Sequence, residues 1–329
     1  MLYFNKVVLI FCTAMVSSST LADNADRLMR KAGRYFEPLP VEMPGGENDT
    51  SERVALGKKL YFDTRLSINN TQSCSSCHLV EGGRAGVDNL PTSPGAEGKL
   101  GTRNSPTVLN AGWQFAQFWD GRASDLQDQA GQPILNPIEM GMPDEQSVID
   151  KLAALEEYQQ AFAKAFPDSA SPLTYANLTE AIAAFERTLR TESRFDDFLQ
   201  GNKTALSPQE QNGLSIFIRV NCVECHDGPL VGGGLYEKLG KYQAFQNTAD
   251  QGRYEVTGDD EDRMVFKVAQ LRNVAVTGPW FHDGSVTTLD DAVRSMAEMQ
   301  LDQKLDDAEI KAIVAFLGSL TGKDLEQKR

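Results

Sequence analysis

The chain has 329 residues, 41% hydrophobic and 24% charged, enough apolar content for about two compact domains and too much for a disordered or fibrous protein. Its formal net charge of −14 repels phosphate backbones and anionic lipid, which argues against nucleic acid or a membrane surface as a partner and favours a basic one. Five Cys are too few for a disulfide-dense scaffold, so their placement carries the information.

Residues 1–22 read as a secretory signal peptide. Lys6 is the only charge, an apolar run covers residues 7–16, and Leu21-Ala22 offers a small-residue cleavage site before Asp23. That run is well short of the roughly 20 residues of a membrane anchor, and no later stretch approaches one, so the product is expected to be exported and soluble. Cys12 leaves with the signal. Ser51 is then expected to cap a helix through Tyr61, with Val54, Ala55, Leu56 and Leu60 as its apolar stripe. The pentapeptide Cys74-Ser75-Ser76-Cys77-His78 follows, and after it a Gly- and Pro-rich loop over residues 82–107. A second loop covers 133–143. Helical spacing of Val148, Ile149, Leu152, Leu155, Phe162 and Phe166 predicts one helix over 146–166, and Leu178, Ile182, Phe185 and Leu189 predict the next. Ser207-Pro208-Gln209-Glu210 is a capping box that starts a helix running into Cys222-Val223-Glu224-Cys225-His226. In the loop over 228–240, Gly232-Gly233-Gly234 lacks the Lys-Ser/Thr of a phosphate loop. The last helix, capped near Asp306, carries Ile310, Ile313, Val314 and Leu317. Alternation of period two is scarce, so the fold is expected to be mainly α, with one Cys-x-x-Cys-His site in each of two domains.

Two thiols one helical turn apart can add to the two vinyl groups of haem, and the adjacent His then reaches the iron from the same face. The competing readings are disulfides or redox Cys pairs, or zinc shared between two Cys pairs. The two sites use every mature Cys and two of the three His, which points to two covalent haem c groups with His78 and His226 as proximal ligands. An electron carrier closes both irons with Met or His, whereas peroxide chemistry needs one iron open beside a proton-transferring group. Only His282 remains as a second His ligand, so at most one iron can be bis-His.

The ordered motifs Gly101-Thr102-Arg103-Asn104-Ser105-Pro106-Thr107, Gln117-Phe118-Trp119-Asp120-Gly121-Arg122, Gln129 with Pro137-Ile138-Glu139-Met140, and Leu271-Arg272-Asn273-Val274 running into Thr277-Gly278-Pro279-Trp280-Phe281-His282-Asp283-Gly284 resemble the bacterial di-haem cytochrome c peroxidases over about residues 53–320. The resemblance implies two cytochrome-c-like domains packed around an inter-haem interface in the periplasm. It places residues 23–188 in a peroxidatic domain, with 23–48 packing on the other, and 189–329 in an electron-transfer domain. It makes Glu139 the acid/base carboxylate, Gln129 its neighbouring amide and Trp119 the inter-haem residue. Asn104, Thr277 and Pro279 match oxygen ligands of a calcium ion. Met296 matches the sixth ligand of the second haem, with Met299 nearby, and His282 is expected to be a hydrogen-bonding residue. The implied activity is reduction of hydrogen peroxide to water with electrons from a small c-type cytochrome or cupredoxin; a homodimer is left open. One position departs from the pattern: the loop Thr92-Ser93-Pro94-Gly95-Ala96 carries Ala96 where most of the family has an iron-blocking His. That resembles the MauG-type branch, which oxidises side chains of a partner protein, although the best-known member there has Tyr where this chain has Met296. The alternative is therefore a MauG-type oxidase.

Overall fold

Side-chain caps decide where the helices of the computed structural model, which describes residues 24–326, begin. The predicted signal peptide lies outside the described residues. Helix α1 spans 24–32. Helix α2 (Ser51–Tyr61) is capped one residue earlier than expected: the Thr50 hydroxyl accepts from the Arg53 N–H at 3.2 Å, and Ser51, the expected cap, is the first helical residue. Helix α3 is the single turn Cys74–Cys77, and α4 is Leu126–Leu135. The helix expected over 146–166 is two, α5 (Glu145–Ala153) and α6 (Glu156–Ala165), because Leu155 turns extended at φ −114° and Glu156 and Glu157 open a new positive helix end. Gln159 donates to the Ala153 carbonyl at 2.7 Å, satisfying an acceptor that the break frees. The apolar stripe continues across the break, so periodicity alone did not mark it.

Then come α7 (Tyr175–Glu186), α8 (Arg194–Leu199) and α9 (Pro208–Arg219), the last with the predicted Ser207/Glu210 capping box. Helix α9 does not run into the second Cys site, which is a separate 3-10 turn over Cys222–Glu224 entered through Asn221 at φ 73°. The short α10 (Tyr254–Thr257), then α11 (Leu289–Leu301), α12 (Asp307–Gly318) and the terminal turn α13 (Lys323–Glu326) complete the helices. The only sheet among the described residues is antiparallel, β1 (Tyr236–Lys238) beside β2 (Val265–Lys267), with Glu237 opposite Phe266.

Two hydrophobic cores form, one around Leu60, Ile134, Phe162 and Ile182, the other around Phe195, Leu214, Phe217 and Phe316. Each is centred on a helix crossing that only glycine permits. A Cβ on Gly57 of α2 would lie 1.7 Å from the Ala181 carbonyl oxygen of α7, and one on Gly213 of α9 would lie 1.9 Å from the Ala312 carbonyl oxygen of α12. Phe185 and Phe316, each one helical turn further on, flank the two crossings. Residues 24–39 join the second core: Phe36 packs edge-on against Phe195 with centroids 5.3 Å apart, and the Leu39 N–H donates to Asp196 at 3.0 Å.

The repetition extends to the loops. Asn110 and Asn273 both sit at φ 64° before a short 3-10 turn, and both side-chain amides donate to the single Thr191 hydroxyl at 3.0 Å. Phe118 and Phe281 share φ 67°, followed by Gly121 at φ 67° and Gly284 at φ 63°. Bridges from Gln117 to Ala123 and from Trp280 to Val286 close the two turns, which places Trp119 and His282 at the same position in each.

Candidate functional site: two cavities and a shared wall

A large cavity opens beside His78, enclosing about 1770 Å³ counting its mouth, and a second of about 1250 Å³ opens beside His226. The first is lined by Cys74, Cys77, His78, Gln129, Glu139 and Glu186, the second by Cys222, Cys225, His226 and Met296. All four cysteines are free, and burial raises their thiol pKa values, to about 11 at Cys77 and about 12 at Cys222. Among the described residues no three His, Cys, Asp or Glu side chains converge on a metal position. No zinc site is shared between the two Cys pairs among the described residues.

Each of the two histidines sits against backbone. Burial pushes His78 down, and His226 to about 4, so both are neutral imidazoles with a lone pair available to a metal. The Nδ1 of each is buried without a well-formed hydrogen bond, although backbone groups of Gly86 and Pro106 at His78, and of Val231 and Ala269 at His226, pull the pKa values back up. Gly232, at φ 123°, passes so close that a Cβ there would lie 2.9 Å from His226 Nδ1. Neutral imidazole, paired thiols and a large adjoining cavity fit a covalently attached haem at both places.

Glu139 stands in the wall of the His78 cavity. Burial raises its pKa, against which Arg122 pulls it down and Asn136 Nδ2 donates to Oε1 at 2.8 Å. Gln129, on α4, lines the same cavity. The loop bearing Ala96 is clamped here: the Ala96 N–H donates to the Glu139 carbonyl at 2.6 Å, and a Cβ on Gly95 would lie 1.7 Å from the Ile138 oxygen. Ala96 offers no ligating atom.

In the His226 cavity Met296 of α11 lines the wall, while Met299 is buried in the core and does not reach it. The half-buried Met296 thioether shares that space with His226. His282, 2% exposed, also lines it, stacked on Phe266 with centroids 4.3 Å apart and facing Phe245 as well; its Nε2 has no hydrogen-bond partner among the described residues.

Trp119 borders both cavities, and a third, smaller one between them that Asn104, Thr277 and Pro279 also line. Its indole N–H donates to the Asn104 carbonyl at 2.8 Å. The Asn104 amide nitrogen donates to Leu90 O at 2.9 Å, leaving Oδ1 directed to no protein donor among the described residues. The backbone of the junction is swapped: the Lys267 N–H donates to the Trp119 carbonyl and the Asn104 N–H to the His282 carbonyl, each at 2.7 Å. Arg103 ties the halves again through Asp250 at 2.5 Å and 2.7 Å. Reading motifs by sequence missed Lys267, Glu186 and the equivalence of Trp119 with His282, although the doubled Phe-x-Asp-Gly was in view.

The family model described as di-haem cytochrome c peroxidase matches residues 51–204. The chain is 43% identical to cytochrome c551 peroxidase of Pseudomonas aeruginosa over 94% of its length and 90% of that protein, and 44% identical to cytochrome c551 peroxidase of Nitrosomonas europaea with the same coverage. A solved structure of a MauG-like protein associated with microbial copper homeostasis superposes with a TM-score of 0.77 at 29% identity, covering 87% of this chain and 94% of that one. On these matches the chain belongs to the di-haem cytochrome c peroxidase family and is a peroxide-reducing oxidoreductase.

Proposed function

We propose that this is a periplasmic peroxidase that takes electrons from a small c-type cytochrome or cupredoxin at the His226/Met296 site, passes them by Trp119, and uses them at the His78 site to reduce hydrogen peroxide to water. The observation that carries this reading is the position of Trp119, in the wall of both cavities at once, with Glu139 in the wall of only the first. Covalent haem at Cys74/Cys77 and at Cys222/Cys225 supplies the redox chemistry. The two cores support an arrangement of one haem domain over residues 23–188, with 23–48 packing on the other, and one over 189–329. Glu139, with its raised pKa, takes the proton from the near peroxide oxygen and returns it to the leaving one, while Gln129 orients the substrate. His78 and His226 would hold the two irons, and Met296 would be a further ligand to the second, a thioether that raises its potential and suits it to accept electrons. Calcium at Asn104, Thr277 and Pro279 would be held by hard oxygen atoms, and the unengaged Asn104 Oδ1 supports it. Export rests on residues 1–22, and among the described residues no helix is long and apolar enough to cross a membrane.

The test is steady-state oxidation of reduced c-type cytochromes and cupredoxins by peroxide, with native and Met296→Ala protein. Turnover by the native protein and its loss in the variant are expected. Ala96, beside Glu139, favours a second reading, a MauG-type oxidase of a partner protein. No turnover with any donor, together with peroxide-dependent modification of a co-purifying protein, would select it.

A further inference from the structure

Lys267 is an interior cation without an anion. It is 8% exposed, yet the one side-chain partner of its ammonium is the Gln114 amide oxygen, and it forms none of the ion pairs of the described residues. Lys267 lines both the His226 cavity and the small cavity shared by Trp119, Asn104, Thr277 and Pro279. The charged and titratable groups around it are otherwise engaged. Asp120 is held by Arg103 and Arg122, Glu237 of β1 lines the same cavity, accepts from the Lys238 N–H and makes no ion pair with Lys267, and burial pushes His226 and His282 down, away from the charged form. Burial pulls Lys267 itself down to about 8. An unpaired ammonium in such a place is costly, and buried charges are retained where a counter-charge meets them. A calcium ion in the same small cavity would sharpen the need, since two cations there repel unless an anion lies between them.

We propose that Lys267 is the counter-ion of a propionate of the haem held by His226, and that this pairing fixes the charge at the junction beside Trp119. The inference rests on the reading of two covalent haems. A haem brings two carboxylates that a largely apolar cavity cannot solvate, and Lys267 is the unpaired cation of the described residues that lines this one. Lysine acts as a point charge, so arginine preserves the charge while methionine and glutamine remove it.

The experiment is a spectroelectrochemical titration of the intact holoprotein between about pH 6 and pH 8, after a haem count by alkaline pyridine. Fewer than two haems per chain would overturn the two-haem reading, and this pairing with it. With two haems present, the potential of the low-spin His226-site haem is expected to stay level with pH in the native protein and in Lys267→Arg. In Lys267→Met and Lys267→Gln the unpaired carboxylate would bind a proton on reduction, so the potential would start lower in alkali and fall as pH rises, by up to tenfold in the reduction equilibrium per pH unit. Should Lys267→Met fail to assemble, Lys267→Gln is read the same way. Profiles of the neutral variants that superimpose on the native one, or a native potential that already follows pH over this range, would overturn the pairing while leaving the two-haem reading intact.

Discussion

Trp119 and His282 occupy the same place in a turn that the chain makes twice, and the carbonyl of each is bound by a backbone N–H from the other half, at 2.7 Å in both cases. The side chains differ in what they touch. The indole N–H of Trp119 is hydrogen-bonded and its ring borders both cavities, whereas His282 borders only the His226 cavity and its Nε2 is unpaired. Electron redistribution after stopped-flow mixing of half-reduced protein is therefore expected to slow in Trp119→Leu and to be unchanged in His282→Phe, which keeps the aromatic packing against Phe266.

Glu139→Gln should retain both haems and lower kcat/KM for peroxide by about 10²–10⁴, the usual worth of a general acid-base group. The acid limb of the pH profile reports the ionisation of this carboxyl. Arg122 lowers the Glu139 pKa, so Arg122→Gln should move that limb to higher pH, and Glu139→Gln should abolish it. A pH series of steady-state rates checks both.

Ala96 puts no ligating atom over the His78 site. The oxidised protein should show high-spin ferric iron by spin resonance and turn over without prior reduction. Ala96→His is expected to diminish the high-spin signal and to make turnover depend on reduction, which a comparison of oxidised and pre-reduced samples would show.

At the two helix crossings, Gly57→Ala and Gly213→Ala should each destabilise the protein by about 1–3 kcal/mol or more, because a Cβ within 2 Å of a backbone oxygen has nowhere to go. Chemical denaturation measures it. Gly234→Ala, with no atom within 4 Å of the added Cβ, is the control and should be near neutral.

Glu186 of α7 is buried in the His78 cavity wall and its pKa is raised to about 8 by burial. The folded state therefore holds a proton that the unfolded chain has already released above its ordinary carboxyl range, and stability falls as pH rises from there to about 8. Glu186→Gln should remove that loss, gaining on the order of a few kcal/mol at pH 8 and little below pH 4. Thermal unfolding of native and variant holoprotein across this range gives the difference.

Much of this was legible in the chain. Cys-x-x-Cys-His carries its own chemistry at fixed spacing, and caps such as Ser207 and Asp306 act within four residues, so the structure has the Ser207 box and the Asp306 cap where the sequence placed them. The break at Leu155 was hidden because an apolar stripe can continue across a change of helix direction. The three-residue strands were hidden because so short a run has no period to detect. Lys267 lay outside reach for another reason: a lysine reads as surface until the fold shows what surrounds it. Glu186 was concealed in the same way, as one charged residue at the end of an apolar helix.

The swapped hydrogen bonds also bear on how the molecule is put together. Chains emerge N-terminus first, so residues 24–39 are made before the core they pack on, and Trp119 before the Lys267 N–H that binds its carbonyl. The wall between the cavities is completed only when the last third of the chain arrives. Assembly of the first site thus waits on the second, and a nascent chain cut short after the first Cys pair would present thiols to a pocket with one side missing.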